Sequence, residues 1–443
     1  MRYRKSWTLP AVLVLAVPLL TASLGHADTV VTAYPTVETP ATFDDDAGGN
    51  VDSDDPEVWI NPDDTARSLV LGAEKTAGMS VFDLHGAVVQ HIPAAPPPRP
   101  GDEAGRLNNL DVLYDVPIGG HHEDIAVVSD RGLDKLHVFK IDRKAKHAKP
   151  VTEITAADTP YLFSADQDEV NSKNTAYGVT TWKAGDGTVY VIATREHRTD
   201  LALFKLIPKE DGTVGYELVR RAALPSSFTL PDGSSWTPCD KPGRGPQAEG
   251  MAVDEDRGLV YLAQEGVGIW RARADLKSFE PVLIDKVKEY GVPATYDAAK
   301  RKCVPGTDPG YGGKHLRADV EGLSIYHRGD GKGYLIASSQ GDSTFAVYDR
   351  VPDNDYVGQF RIGDGPSVDG TQNTDSFFVT NVPVGQFRQG LMVVQDGDNT
   401  PHQVDENGKV RTSTNFKYVP WEAVANAFPK HLKIDPDGWH PRN

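Results

Sequence analysis

The sequence predicts an all-β fold built from six similar repeats, and three observations support this. A short apolar strand recurs six times along the chain, at spacings of roughly 55 to 75 residues. Each of these strands follows another strand-like segment, and five of them precede a third. Few segments have the periodicity of a helix, and the best candidate is Trp421–Phe428. Since radial repetition of small sheets protects their edges, we predict a six-bladed β-propeller with four-stranded antiparallel blades. An open all-β array is the alternative.

The apolar second strands are the clearest elements of the repeats. In the fifth repeat, Leu323 and Ile325 alternate with polar neighbours before this strand, as half-buried residues should. Fourth strands are weaker, and the last repeat lacks an obvious one. We expect Val30–Ala33 to supply it, so that an N-terminal strand closes the ring. The six second strands are Ser68–Gly72, Asp124–Val128, Val189–Ala193, Leu259–Ala263, Tyr334–Ala337 and Leu391–Val394.

Residues 1–27 have the features of a secretory signal peptide. The segment starts with three basic residues, continues with the apolar run Leu9–Leu20 and ends in small residues. The apolar run is too short to span a bilayer, although a membrane anchor is the alternative. We therefore expect residues 28–443 to form a single propeller domain that is secreted and has no membrane partner after cleavage.

The charge of the chain limits the class of partner. The formal net charge is −17, and removal of the three basic residues of the leader makes it −20. This excess of acid argues against a nucleic-acid partner, which requires a basic face. It fits an extracellular protein that binds hard cations through oxygen ligands, although acidic residues also aid solubility.

Three insertions interrupt the regular spacing, at residues 94–105, 226–245 and 286–316. Long loops in a compact fold are often functional or flexible. The second insertion carries Cys239 and the third carries Cys303, and a disulfide between them is allowed in an exported chain. Two cysteines are too few for a thiolate zinc site.

Acidic and amide side chains recur at one end of the predicted blades. In a propeller the first strands line the central channel and their ends meet at one rim, so these side chains should converge. Oxygen donors suit calcium, whereas zinc and copper prefer nitrogen or sulfur. For any single one of these residues, capping of a turn is the alternative explanation. The starts of first strands contribute Asp54, Asp55, Asn108, Asn109, Asp111, Glu249, Asp319, Glu321, Asp369 and Asp375, and the ends of second strands contribute Glu265, Gln340 and Asp396.

Basic residues mark equivalent second-strand ends at Lys75, Arg131 and Arg195. A rim with acids on one side and bases on the other is a plausible site for a polyanion held jointly by metal ions and side chains. Solvated surface charges are the alternative for each residue. No serine, cysteine or histidine stands in a recognisable nucleophile motif, so a hydrolase of this kind would use water, whose pKa a metal ion can lower.

Together these segments resemble the β-propeller phytases, the calcium-dependent alkaline phytases of bacteria. The resemblance runs from about Asp54 to Trp421. It implies a six-bladed propeller that hydrolyses phytate (myo-inositol hexakisphosphate) or calcium phytate, with several calcium ions, some structural and others catalytic. The motifs that carry it are Asp54–Trp59, Leu107–Asp111, Ala248–Ala252, Asp319–Leu323, Ala337–Gly341, Asp364–Pro366, Asp369–Thr371 and Gln395–Gly397.

The resemblance also implies roles for individual residues. The expected catalytic group is Tyr177, Lys75, Arg131, Arg195 and Glu196, of which Lys75, Arg131 and Arg195 would grip the phosphates of the substrate. The calcium ligands of the active site would be Asp54 or Asp55, Glu249, Glu265, Asp319, Glu321 and Gln340. Asp369, Asp375 and Asp396 fall where the family binds structural calcium, and Asn108 and Asn109 fall near a metal site.

Two positions depart from the pattern of the family. Its members often have two adjacent lysines where this chain has Lys75–Thr76, and a lysine where it has Arg195. Arginine keeps the charge and binds phosphate bidentately, but it cannot donate a proton near neutral pH. The three insertions have no equivalent in the simpler members, so the resemblance does not predict the shape of the rim or the access of substrate to it.

The resulting hypothesis is a phosphoric monoester hydrolase of the 3-phytase type that acts as a monomer. A metal-activated water would attack phosphorus while the basic side chains stabilise the transition state. Two alternatives remain, a calcium-dependent propeller hydrolase of another substrate, such as a lactonase, and a non-catalytic propeller that binds polyanions. A lactonase would not need Arg131 and Arg195, and a binding module would release no phosphate.

Overall fold

Six small antiparallel sheets surround a central channel in a computed structural model of the chain, which describes residues 29–145 and 149–442. The first strand of each sheet contacts the first strand of the next, and the sixth contacts the first. This closed order confirms the predicted six-bladed β-propeller with four-stranded antiparallel blades. We number the blades 1 to 6 along the chain.

The blades follow the predicted repeats. Blade 1 comprises Pro56–Trp59, Leu69–Ala73, Met79–Phe82 and Val88–Ile92, and blade 2 comprises Leu107–Ile118, His121–Asp130, Lys135–Ile141 and Val151–Glu153. Blade 3 comprises Ala176–Lys183, Val189–Arg195, Asp200–Pro208 and Val214–Ala223, and blade 4 comprises Ala248–Asp254, Leu259–Gln264, Gly268–Arg273 and Val282–Lys286. Blade 5 comprises Val320–His327, Gly333–Ser339, Thr344–Asp349 and Tyr356–Ile362, and blade 6 begins with Phe377–Thr380, Leu391–Asp396 and Ser413–Pro420.

The N-terminal segment closes the ring, as predicted, but with a different strand. Val37–Glu38 pairs antiparallel with Ser413–Pro420 and completes blade 6, and Thr42–Phe43 extends the same pairing. The expected closing strand, observed as Val31–Ala33, instead pairs parallel with the outer strand of blade 5. Its assignment to blade 6 was wrong, because the chain runs along the edge of blade 5 before it reaches the open edge of blade 6. The N-terminal segment therefore joins two blades.

Helices are short and few in the part of the chain that the structure describes. The α-helices are Gln167–Val170 and Trp421–Ala427, and the second confirms the predicted helix. Its Trp421 is fully buried and stacks on Tyr326, with 4.1 Å between ring centroids. Single 3-10 turns are Asp46–Gly48, Thr65–Arg67, Glu255–Arg257, Gly329–Gly331 and Gln340–Asp342. Outside the blades, short hairpins pair Phe228–Thr229 with Ser235–Trp236, Ala294–Asp297 with Lys302–Pro305, and Gln403–Val404 with Val410–Arg411.

A disulfide joins the second and third insertions. Cys239 and Cys303 are bonded, with 6.0 Å between their Cα atoms. The Trp236 ring packs 4.7 Å from the Tyr290 ring, and its indole N–H donates to the carbonyl of Val292 at 2.9 Å. The two insertions therefore form one packed unit beside blade 4.

The predicted leader, residues 1–27, lies outside the described residues. Within residues 29–145 and 149–442, none of the helices has both the length and the apolar character needed to span a bilayer.

Candidate active site at one mouth of the channel

Four of the six first strands begin with the same irregularity at one mouth of the channel. Each places two residues opposite a single residue of its second strand, so the register shifts. A bulge bends the strand and re-aims a side chain. In each of these blades, the first bulged residue is one that the sequence predicts to be functional. The bulged pairs are Asn108–Asn109, Tyr177–Gly178, Glu249–Gly250 and Glu321–Gly322.

Glycine at the second bulge position allows neighbouring blades to pack closely. A β-carbon on Gly178 would lie 1.9 Å from the carbonyl oxygen of Glu249. One on Gly250 would lie 2.0 Å from the carbonyl oxygen of Glu321. Both distances are far below van der Waals contact, so a larger residue would push the blades apart. The bulge of blade 3 thus packs directly on that of blade 4, and the bulge of blade 4 on that of blade 5.

Three glutamates converge at this mouth. Carboxylate oxygens of Glu249, Glu265 and Glu321 lie within 4.8 Å of one another. Glu249 and Glu321 come from bulges, and Glu265 follows the second strand of blade 4. We call these three residues the glutamate cluster. Asp319 is exposed at the rim, and its charge reaches Glu265 and Glu321.

Burial and mutual repulsion make the glutamate cluster a poor place for bare negative charge. Burial raises the pKa of Glu321 well above its ordinary value, and the charges of Asp375 and Glu249 raise it further. Burial also raises the pKa of Glu265 and of Glu249. The cluster therefore needs either protons or a cation from outside to be stable.

Tyr177 completes the wall of the cluster. Burial, followed by the charge of Glu249, raises the pKa of its hydroxyl well above the ordinary value, so it stays protonated. Hydrogen bonding to this hydroxyl lowers the pKa of both Glu249 and Glu265. Tyr177 thus contributes a neutral polar group between two carboxylates.

Arg131 lies next to the glutamate cluster on the blade 2 side. One guanidinium nitrogen donates to Asn108 Oδ1 at 2.9 Å, and another forms an ion pair with Glu196. The guanidinium also stacks over the ring of Tyr177, 4.9 Å from its centroid. Asn108 in turn donates its amide N–H to Glu249 Oε1 at 2.6 Å. A cation suited to phosphate is therefore joined to the glutamate cluster through Asn108.

Lys75 lies on the blade 6 side among three carboxylates. Its ammonium is 2.6 Å from Asp52, 3.4 Å from Asp54 and 3.3 Å from Asp375. The amide of Gln340 links this group to the cluster, since it donates to Asp375 at 2.5 Å and to Glu321 at 3.1 Å.

Asp54 and Asp55 precede the first strand of blade 1 and differ in their partners. Asp55 accepts the backbone N–H of Leu110 at 2.8 Å and the hydroxyl of Ser376. Burial raises the pKa of Asp55 to about 7. Asp54 Oδ2 is buried and has no hydrogen-bond partner among the described residues. One oxygen at the mouth therefore still lacks a donor or a cation.

Other predicted site residues lie apart from the glutamate cluster. Arg195 donates to Glu169 at 2.8 Å and to the carbonyl of Asn174 at 2.7 Å, so it is engaged with the segment between blades 2 and 3. Asp111 lines the channel and accepts the backbone N–H of Thr181 at 2.7 Å.

A second acidic site forms around a buried lysine of blade 6. Lys417 is fully buried, and its ammonium contacts Asp369 and Glu38 and lies 3.5 Å from Asp396. Asp396 Oδ2 has no hydrogen-bond partner among the described residues. The structure thus separates Asp369 and Asp396 from Asp375, which belongs to the channel mouth.

The sequence analysis missed several residues of the mouth. Asp52 pairs with Lys75, Ser376 donates to Asp55, and Gln247 donates to Glu265 at 2.8 Å. Arg106 is a further cation at the mouth. Burial and the charge of Arg131 lower its pKa, whereas the charges of Asp54 and Glu196 act in the opposite direction. A repeated Tyr-Gly or Glu-Gly pair at the start of three first strands was the available signal for the bulges.

The residues at the mouth fit a hard cation. The groups that converge on the glutamate cluster are three carboxylates and the hydroxyl of Tyr177, and such oxygen donors suit calcium better than zinc or copper. The raised pKa values of the glutamate cluster and the unpartnered oxygen of Asp54 both indicate that positive charge is missing there. The individual metal ligands nevertheless stay predictions.

Comparisons with known proteins agree with this geometry. The family model described as Phytase matches residues 5–220 and 244–443, and leaves out most of the second insertion. A 3-phytase of Bacillus subtilis (strain 168) is 30% identical over 412 residues, which cover 92% of this chain and 86% of that protein.

Solved structures with related architecture are much more distant. The RRP9 WD40 repeats are 11% identical, with 88% of this chain and 99% of that chain covered and a TM-score of 0.42. U3-55K is 12% identical, with 84% and 96% covered and a TM-score of 0.41. Likeness this weak carries no argument about this chain. On the family match and the Bacillus relative, the chain belongs to the phytase family of enzymes.

Proposed function

We propose that this protein hydrolyses phosphate monoesters of phytate in a calcium-dependent reaction at the glutamate cluster, releasing inorganic phosphate and lower inositol phosphates. The observation that carries the proposal is that acidic and basic side chains are joined by hydrogen bonds at one mouth of the channel. Three converging glutamates adjoin Arg131 through Asn108 and adjoin Lys75 through Gln340 and Asp375. Family membership supports the substrate.

The charge of the mouth explains why a cation is required. Phytate is a polyanion, and it would meet a protein of formal net charge −17, or −20 without the leader, at a site rich in carboxylates. Glu249, Glu265 and Glu321, with Asp54, Asp319 and Gln340, are the residues that would hold calcium. Bound calcium would neutralise phosphate and carboxylate charge together and lower the pKa of water at the site.

The chain's own basic groups would bind and orient the substrate. Arg131 is held by Asn108 and Glu196, so its planar guanidinium is fixed before phosphate arrives. Lys75 and Arg106 add positive charge around the same mouth. These charges would stabilise the phosphoryl group most strongly in the transition state, where negative charge builds up on its oxygens.

The setting of the reaction is also part of the proposal. Export by the predicted leader would place the enzyme outside the cell, where calcium is abundant and the Cys239–Cys303 disulfide persists. We further propose that it acts as a monomer. We also propose that it is a 3-phytase, which is the name of its Bacillus relative.

The deciding experiment measures inorganic phosphate released from phytate by the purified mature protein, with calcium and then with a chelator. We expect release only with calcium, and restoration when excess calcium is added back. The variant Arg131→Ala should lose most of this activity, because it removes the best-placed phosphate ligand.

Two outcomes would contradict the proposal. Folded protein that binds phytate with calcium but releases no phosphate would be a polyanion-binding propeller. Hydrolysis of a lactone that is undiminished in Arg131→Ala, without phosphate release from phytate, would indicate a hydrolase of another class.

A further inference from the structure

Gln247 makes a set of contacts at the mouth that the proposed function does not use. It precedes the first strand of blade 4, two residues before Glu249. Its amide nitrogen donates to Glu265 Oε1 at 2.8 Å. Its amide oxygen lies 2.7 Å from the backbone nitrogen of His197 and 2.9 Å from His197 Nδ1. A single neutral side chain therefore touches both the glutamate cluster and the blade 3 side of the mouth.

The orientation of this amide is fixed by its partners. A backbone nitrogen can only donate, so the atom of Gln247 that faces the nitrogen of His197 must be the oxygen. The amide N–H group therefore faces the carboxylate of Glu265, which can accept it. The same argument places a proton on His197 Nδ1, because this nitrogen faces the same oxygen.

The contacts continue beyond His197 to the phosphate-binding side. His197 Nε2 lies 3.3 Å from Glu196 Oε1, and Glu196 forms the ion pair with Arg131. Burial lowers the pKa of His197, so its ring is neutral, and with the proton on Nδ1 the Nε2 atom has none to donate to Glu196. The link from Gln247 to Glu196 and Arg131 therefore runs through the main chain, since Gln247 accepts the backbone N–H of His197, the residue next to Glu196.

The backbone around Gln247 is held in place by blade 4. The buried amide of Gln264 donates to the carbonyl of Pro246 at 2.8 Å. The backbone N–H of Glu265 donates to the carbonyl of Gln247 at 3.2 Å, and the N–H of Gly245 donates to the carbonyl of His197 at 2.8 Å. The main chain that carries Gln247 and the main chain of its partner His197 are therefore both held by hydrogen bonds.

We propose that Gln247 is a positioning residue that aims the carboxylate of Glu265 at calcium and couples it to the ion pair of Glu196 and Arg131. This rests on the proposed function, and it names a residue beyond the calcium and phosphate ligands. Groups that orient a metal ligand without touching the metal change affinity or activity by about 10–100-fold when removed. Gln247 has the geometry of such a group, since it lies outside the glutamate cluster and its N–H donates to Oε1 of Glu265 at 2.8 Å.

The test uses the full mature protein and the variant Gln247→Met, which keeps the length of the side chain but removes both polar atoms. Gln247→Asn is the second variant, because its shorter amide cannot reach Glu265 and His197 together. The matched control is Gln90→Met. The side-chain amide of Gln90 also makes two hydrogen bonds, donating to the carbonyl of Val151 and accepting its backbone N–H. It lies between the outer strands of blades 1 and 2.

Two readouts separate positioning from general stability. Calorimetric titration with calcium chloride, without substrate, should show binding about 10–100-fold weaker in Gln247→Met and Gln247→Asn than in the wild type. The calcium concentration for half-maximal phosphate release should rise by a similar factor. Gln90→Met should lower the melting temperature with and without calcium alike and leave calcium affinity unchanged.

Calcium affinity at the wild-type level in both Gln247 variants would overturn the proposal, and so would an equal loss in Gln90→Met. A protein that releases no phosphate at all would refute the proposed function instead. The titration would still report whether Gln247 shapes the calcium site, so the two failures can be told apart.

Discussion

The two ends of the central channel treat buried acidic groups in opposite ways. At the far end, Asp254 is fully buried and receives two hydrogen bonds from Arg350, at 2.8 and 2.5 Å. At the mouth, Glu321 is also buried, but its hydrogen-bond partner is the neutral amide of Gln340 and its neighbours are other carboxylates.

The pKa values of Asp124 at the far end and Glu321 at the mouth show the same contrast. At the far end, burial alone would raise the pKa of Asp124, but hydrogen bonds from Arg442 and Trp59 hold it below the ordinary value. At the mouth, burial and like charges raise the pKa of Glu321. A buried acid that the fold has matched with its own cation serves the structure, whereas unmatched acids indicate a site completed from outside.

The largest effect on stability is expected at the matched end. Asp254→Asn would leave the buried guanidinium of Arg350 with only one of its two carboxylate partners, Asp256. We expect this to lower the free energy of unfolding by about 3–5 kcal/mol. Denaturant unfolding of the calcium-loaded protein measures this. Asp256→Asn is the control, because Asp256 contacts the same arginine at 2.7 Å but is half exposed. If both variants were equally stable, burial would not be what makes the pair important.

The buried acids at the mouth predict that the stability of the calcium-stripped protein depends on pH. Burial raises the pKa of Asp55 to about 7, from an ordinary value of 3.8. An acid with a raised folded-state pKa stabilises the fold below the unfolded value and loses that contribution as pH rises through the folded value. The stripped protein should therefore lose up to about 4 kcal/mol between about pH 4 and pH 7.

Melting temperatures across this range, with and without calcium, would measure the effect. Calcium should remove most of the slope, because a cation stabilises the charged carboxylates. A slope that calcium does not change would show that the acids of the mouth are not responsible.

Glu321→Gln should separate function from stability. It removes one charge of the glutamate cluster with little change in shape, and we expect phosphate release at saturating calcium to fall about 100-fold. The melting temperature of the calcium-stripped variant should rise, since the free-energy cost of burying this carboxyl without a cation has gone. Glu289→Gln is the control, because Glu289 is partly exposed and paired with Arg317 at 2.7 Å. Full activity in Glu321→Gln would remove Glu321 from the site.

The sequence was sufficient for the repeats and insufficient for the joints between them. Apolar second strands and alternating first and third strands predicted six blades, because each pattern is local. The closing strand was misassigned because Val37–Glu38 is only two residues long and has no periodicity to detect. Its partner, Ser413–Pro420, lies nearly the whole chain away.

The candidate site shows the same limit. Residues at the starts of first strands were predicted to meet, and Glu249, Glu321 and Asp375 lie together at the mouth. The bulges that aim them depend on contact between blades, which the sequence shows only as glycines after glutamate or tyrosine. Lys417 looked like an ordinary strand residue, although its buried ammonium holds Asp369.

The smallest effect is expected for Arg442→Ala at the far end. Arg442 donates to both oxygens of Asp124, at 2.8 and 2.5 Å, but Asp124 also accepts from the indole of Trp59 at 2.9 Å. Because that partner remains, the loss should be about 1–2 kcal/mol, less than for Asp254→Asn. The pKa of Asp124 is held low, so this contribution is present above about pH 4 and fades as pH falls further. Thermal unfolding of wild type and variant should therefore converge in acid, while phosphate release near neutral pH stays unchanged. A loss of activity without a loss of stability would mean that the far end takes part in the reaction, and the contrast between the two ends would fail.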